Sequence, residues 1–189
     1  CMGVGASSPA PLQTACVDRL ATLRGMPVVW HTVAETGADV RQLRKLLLRS
    51  EEGRGFDIAV VFCGVNDGKQ ILRGRLPSAF RRDLSDLCKE LQEAEPEGQI
   101  VLPCIPGYLC APQLQVWPMR HLVKFFFSMY EAEKEAVAEG SAYHCPTPSP
   151  TFLPVLLADL SLWADDGIHP SAEGYRRVGE WLGAEIASE

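Results

Sequence analysis

The chain has no stretch long enough to cross a membrane, no CxxC pair, no concentrated run of lysine and arginine, and no internal repeat. Each absence closes off a class of function. The longest apolar stretch, Phe152 to Leu162, is interrupted by Pro154 and Asp159, and it falls well short of the ~20 residues of a spanning helix, so stable membrane insertion is not expected. Basic residues number 18 against 24 acidic ones, a formal charge of −6. The basic groupings Arg41-Gln42-Leu43-Arg44-Lys45 and Arg81-Arg82 fall at helical spacing. Nucleic acid is therefore not an expected partner, because phosphate binding needs a concentrated positive face. No HExxH and no Cys/His ligand set occurs, so neither a metal site nor a cofactor is expected.

The seven cysteines (1, 16, 63, 88, 104, 110 and 145) are odd in number and share no spacing. Most lie among apolar neighbours, as in Val61-Phe62-Cys63, and read as buried thiols. That usage points to a reducing compartment such as the cytoplasm. No signal peptide is visible, and the opening Cys1-Met2 reads as a fragment or a processed chain from which a targeting segment has gone.

What is present is an ordinary globular composition, 47% hydrophobic and 22% charged over 189 residues, enough for a single domain over 1–189 with a proper core. Pro27–Val33, Asp57–Cys63 and Gln99–Cys104 are apolar and β-branched, as strands buried on both faces of a parallel sheet are. A further short strand is expected near Ala142 to Cys145. Between them run helical patterns: Leu12, Cys16, Leu20 and Leu23; Val40, Leu43 and Leu47; Phe80, Leu84, Leu87 and Leu91. Met119, Leu122, Phe126, Met129 and Val137 mark a longer helix, and Tyr175, Val178, Leu182 and Ile186 a closing one. The alternation predicts a three-layer α/β/α sandwich with right-handed crossovers.

In open α/β sheets the site lies outside the carboxyl ends of the strands. Three predicted loops there carry chemistry: one with Glu35, Gly37 and Asp39, one with Gly64-Val65-Asn66-Asp67, and one with Asp166-Gly167-Ile168-His169-Pro170. An aspartate three residues before a histidine can fix the tautomer of an imidazole that acts as general base. A glycine N–H and an asparagine amide are suitable donors to an oxyanion. Each has a plainer reading. Asp166 to Ser171 also spells a helix entry with Ser171 as cap, Asn66-Asp67 a strand-ending turn, and Gly37 any tight turn. His31 reads as a packed strand residue, and His121 and His144 lack an acidic partner at useful spacing. Phe125-Phe126-Phe127 reads as a core or subunit contact, with acyl-chain binding as the alternative.

The order Gly37, Gly64-x-Asn66-Asp67, Asp166-x-x-His169-Pro170 resembles blocks II, III and V of the SGNH (GDSL-type) hydrolases. The resemblance implies a flavodoxin-like parallel sheet and a Ser-His-Asp esterase or lipase acting on small-molecule esters without a cofactor. By it, His169 is the base, Asp166 its orienting acid, and Gly37 and Asn66 the oxyanion donors. Asp67 is a supporting residue bonding backbone in its own loop, with Gly64 beside it. The block carrying the nucleophile is the departure. Cys1-Met2-Gly3-Val4-Gly5 is similar to the tail of that block, which sets the serine about two residues before Cys1. The strand leading into it would be absent too, leaving a gap between the strands around Val29 and Ile58. Ser7 and Ser8 fit a helix cap ahead of Leu12 better than a nucleophile, and Cys1 has nothing to position it. A non-catalytic relative serving as a binding module, and a flavodoxin-like binding domain matching by chance, stay open as alternatives.

Overall fold

Several helices start where a side chain accepts from a first-turn N–H or where a proline removes one of the unpaired donors. The computed structural model describes residues 11–50, 55–104, 111–141, 143–148, 152 and 158–189. Ser7, Ser8 and Cys1 lie outside them. The elements are α1 (Pro11–Arg24), α2 (Val40–Arg49), β1 (Ile58–Val60), α3 (Val65–Lys69), α4 (Pro77–Ala94), β2 (Gln99–Val101), α5 (Met119–Glu139) and α6 (Ala172–Ser188). Asp39 and Gln42 form a reciprocal capping box on α2, α4 opens on Pro77, and Ser171 caps α6 by accepting from the Gly174 N–H.

The described residues form two compact units. One comprises those of Cys1–Trp30, Pro106–Val123 and Thr147–Glu189, the other those of His31–Ile105 and Lys124–Pro146. In the first, α1 packs on α6. Leu12, Ala15, Cys16 and Leu20 are buried on α1, and Tyr175, Leu182 and Ile186 on α6. The helices approach so closely that a Cβ on Gly179 would stand 2.2 Å from the Leu12 carbonyl oxygen, and one on Gly183 2.4 Å from that of Cys16. Only glycine fits at such a crossing. The Arg24 guanidinium donates to the Ile186 carbonyl (3.0 Å), serving one of the last carbonyls of α6.

In the second unit β1 and β2 pair in parallel, Ile58 opposite Gln99 and Val60 opposite Val101. The ladder continues on the far side of β2. The His144 N–H donates to Ile100, Leu102 donates to His144, and Cys104 donates to Pro146. The short strand expected near Cys145 is thus present as a parallel bridge. Phe80, Leu84, Leu87 and Leu91 all turn into the core, with Ile100, Leu102, Tyr130 and Val137.

Two expectations are corrected. Pro27–Val33 forms no strand: none of its residues is in a strand or bridge among the described residues, and Val29 is 86% exposed. Apolar, β-branched sequence supplies a strand's faces but not its hydrogen bonds, which require a neighbour. His31, expected to be packed in that strand, is exposed. In α5 the helix is where the periodicity puts it, yet Met119, Leu122 and Met129 are exposed, and the buried residues are Tyr130, Lys134, Val137 and Ala138. The apolar stripe and the buried face coincide only over the last turns.

Candidate active site

Asp166 and His169 lie in the first unit, on a loop closed by local bonds. Trp163 bridges Pro170, and the Ala164 N–H donates to the His169 carbonyl (2.8 Å). Gly167 turns the tip with φ +59°. Asp166 Oδ1 accepts from the N–H groups of Ile168 and His169, both at 2.9 Å, and Oδ2 lies 2.6 Å from His169 Nδ1. Those two N–H groups and the imidazole hold the Asp166 carboxyl down at about 2. An ionised carboxylate can only accept, so Nδ1 carries a proton and Nε2 is the ring nitrogen not engaged by Asp166. His169 Nε2 has no partner among the described residues, and both side chains are 41% exposed. The helix-entry reading holds as well, because Ser171 caps α6. One segment serves both purposes.

Gly37, Gly64, Asn66 and Asp67 lie in the second unit, where two loops are laced together. Gly37 occupies the third position of a turn closed by the Ala38 N–H on Glu35, with φ +79°, a position that favours glycine. The Asn66 amide donates to the Ala38 carbonyl (3.0 Å), and its Oδ1 accepts from Lys69 (3.4 Å). This fixes which end of the amide carries hydrogens and leaves one N–H of the pair for another acceptor. Gly64 caps α3 at φ +107°, with the ring of Phe80 and the ammonium of Lys134 beneath it.

Asp67 is fully buried. It was expected to bond backbone in its own loop. Instead its carboxylate accepts from the Val40 N–H at the start of α2 (3.2 Å) and from Arg75 at 2.8 and 2.5 Å. Burial raises the Asp67 carboxyl above its ordinary value, while the guanidinium and the Val40 N–H pull the other way. Arg75 also holds Asp83 (3.0 Å), and its carbonyl accepts from the Tyr130 hydroxyl (2.5 Å). At the mouth of α2, burial works against the Asp39 carboxylate. Bonds from Arg41, the Gln42 N–H and Gln70 still hold it at about 2.

Below Gly64, Lys134 is fully buried. Its ammonium donates to the Pro103 carbonyl (3.0 Å) and to Glu131 (3.1 Å). Burial alone would lower this lysine; Glu131 outweighs it and leaves the ammonium above its ordinary value. Sequence reading missed Arg75, Tyr130 and Lys134. The Glu131 and Lys134 pair at helical i, i+3 spacing was a signal available for the last. Arg75 has none, since its partners stand eight or more residues away.

Among the described residues no group of three His, Cys, Asp or Glu side chains could hold a metal ion, and no helix is long and apolar enough to cross a membrane. An open groove of about 720 Å³ along α1 and α6, lined by Asp18, Arg19, Glu173, Arg176 and Glu180 among others, includes none of the candidate site residues.

The fold is that of the SGNH hydrolases, an α/β class with a parallel sheet. The chain is similar to a GDSL-like lipase structure from Parabacteroides merdae at 22% identity, with a TM-score of 0.66 over 98% of this chain and 84% of that one. It is similar to TesA at 18% identity and TM-score 0.66, over 97% of this chain and 92% of that one. A third likeness, at 17% identity and TM-score 0.65 over 97% and 90% of the two chains, is to the psychrotrophic esterase EstA from Pseudoalteromonas sp., in a structure inhibited by monoethylphosphonate. No curated protein matches the sequence. The profile of the GDSL-like lipase/acylhydrolase family matches residues 2–177, and the chain belongs to that family.

Proposed function

We propose that this protein is a serine esterase of the GDSL type, one SGNH-like domain over residues 1–189, that cleaves small-molecule carboxylic esters by acyl transfer. His169 is the general base and Asp166 its orienting acid, and the Gly37 N–H and Asn66 amide bind the oxyanion. Asp67 and Gly64 shape the Asn66 turn. The nucleophile is a serine N-terminal to Cys1, in a block whose tail Cys1-Met2-Gly3-Val4-Gly5 resembles. The serine oxygen attacks the ester carbonyl, and its proton passes to His169 Nε2. The oxyanion rests on the two donors, and the imidazolium then protonates the leaving alcohol. Water repeats the sequence on the acyl-enzyme. This route draws on no cofactor or metal.

The observation that carries the reading is the 2.6 Å contact of Asp166 Oδ2 with His169 Nδ1, on a carboxylate already fixed by two backbone N–H groups. The test is hydrolysis of p-nitrophenyl acetate by the protein expressed from its complete coding sequence, with and without His169→Ala. Turnover lost in the variant supports the esterase. A folded wild-type protein without turnover, and with a residue other than serine in the first block, supports the non-catalytic binding module instead.

A further inference from the structure

Cys104 and Cys145 take no part in the proposed chemistry, yet they are in contact. Their sulfurs stand 3.9 Å apart, where the chain leaves β2 and the neighbouring segment around His144. Cys104 is buried, and Cys145 is half-buried. Glu135 Oε1 lies 4.0 Å from the Cys104 sulfur, and the Lys134 ammonium sits on the carbonyl of the adjacent Pro103. The other described cysteines differ. Cys16, Cys63 and Cys88 are buried without a sulfur contact of this kind, and burial pushes their thiols up, to about 11 for Cys16 and about 12 for Cys88. Cys145 shifts the other way. Its contact with Cys104 and the Lys134 ammonium favour its thiolate, against burial, Glu131 and Glu135, and the thiol falls below its ordinary value. The Cys104 thiol is raised, by its contact with Cys145 and by burial. Of the two touching sulfurs, Cys145 is the one a reagent can reach, and Cys104 lies buried beside it.

We propose that Cys104 and Cys145 form a modification site, a dithiol that reacts with a hydroperoxide and closes to an intramolecular disulfide. The Cys145 thiolate attacks the terminal peroxide oxygen. An S–O bond forms, the O–O bond breaks, and the alkoxide leaves as an alcohol after taking up a proton. The Cys104 sulfur then attacks the Cys145 sulfur. The S–S bond forms, the S–O bond breaks, and the departing hydroxide leaves as water with the Cys104 proton. Two thiols and one hydroperoxide give a disulfide, an alcohol and water; the sulfur pair supplies the two electrons that reduce the O–O bond. The sulfurs must close from 3.9 Å to about 2.05 Å, an approach of about 1.9 Å shared between two side chains. The bond would fasten the end of β2 to the strand beside it and close the chain loop that contains α5.

The test does not depend on esterase activity. The native protein is treated with tert-butyl hydroperoxide, its remaining thiols are alkylated, and all seven cysteines are mapped by mass spectrometry of an unreduced digest. The expected product is a Cys104–Cys145 cross-link that forms about tenfold faster than oxidation at Cys16, Cys63 or Cys88, is reversed by dithiothreitol and raises the thermal midpoint. In Cys104→Ser, Cys145 should instead be trapped by dimedone as a sulfenic acid. Equal rates at all cysteines, a cross-link to Cys1 or Cys110, an intermolecular product, or sulfinic acid at Cys145 with Cys104 untouched would each overturn the proposal. All four are read on the unmutated protein, so misfolding of a variant cannot mask them.

Discussion

The corner that carries Asp166 and His169 and the corner that carries Gly37 and Asn66 are built on opposite principles. The first is exposed and local. An aspartate bonds the N–H groups two and three residues ahead of it and reaches the imidazole of the same turn. The second is buried and long-range. Asp67 ties the start of α2 to Arg75, Arg75 reaches Asp83, and Tyr130 comes in from α5 to hold the Arg75 carbonyl. A base must accept and release protons and so stays open to its surroundings. Donors proposed to hold an oxyanion gain from a rigid support: the buried network lies behind the half-buried Asn66, while Gly37 itself is exposed.

The contrast is broken most severely at Arg75. Arg75→Met leaves the fully buried Asp67 without its counter-charge and should cost about 3–5 kcal/mol in urea unfolding. Asp166→Ala, on the exposed corner, should shift the urea midpoint far less than Arg75→Met does. Equal costs would erase the distinction. Asn66→Ala removes one proposed oxyanion donor and should lower kcat about 10²–10³-fold with KM little changed; a loss carried by KM instead would make Asn66 a binding residue. Gly64→Ala places a Cβ at φ +107°, for which about 1–3 kcal/mol of destabilisation is expected by thermal unfolding.

The smallest effect is a pH dependence. Asp166 is held at about 2 in the fold against an ordinary 3.8. Its contribution is therefore complete above the ordinary value and is lost as pH falls towards 2. The difference in melting temperature between wild type and Asp166→Ala should shrink between about pH 4 and pH 2. A difference constant over that range would mean that the carboxylate is not held in solution as it is in the fold.

Local chemistry is what the sequence made legible. Asp166-x-x-His169 could be read because the carboxylate's bonds close within three residues, whereas the Asp39/Gln42 box on α2, at the same spacing, went unread. The helix faces of α1, α4 and α6 followed from periodicity, since Leu12, Phe80, Leu84, Leu91 and Leu182 are all buried. What could not be read depends on partners distant in the chain. Pro27–Val33 has a strand's composition but forms no strand with any of the described residues. Asp67 bonds Val40, 27 residues earlier, and Lys134 meets the Pro103 carbonyl 31 residues away. A buried lysine and a buried arginine also run against the ordinary expectation that such side chains face water, so pattern alone assigns them to the surface.

The central claim is that the Asp166 and His169 pair serves a serine nucleophile. It is tested most directly by reacting the protein, expressed from its complete coding sequence, with an alkyl phosphonate and locating the adduct by mass spectrometry. The account predicts a single phosphonylated serine in the block that leads into Gly3-Val4-Gly5, with labelling abolished by His169→Ala while the fold persists. Labelling undiminished in His169→Ala, or an adduct on any other residue, would contradict it.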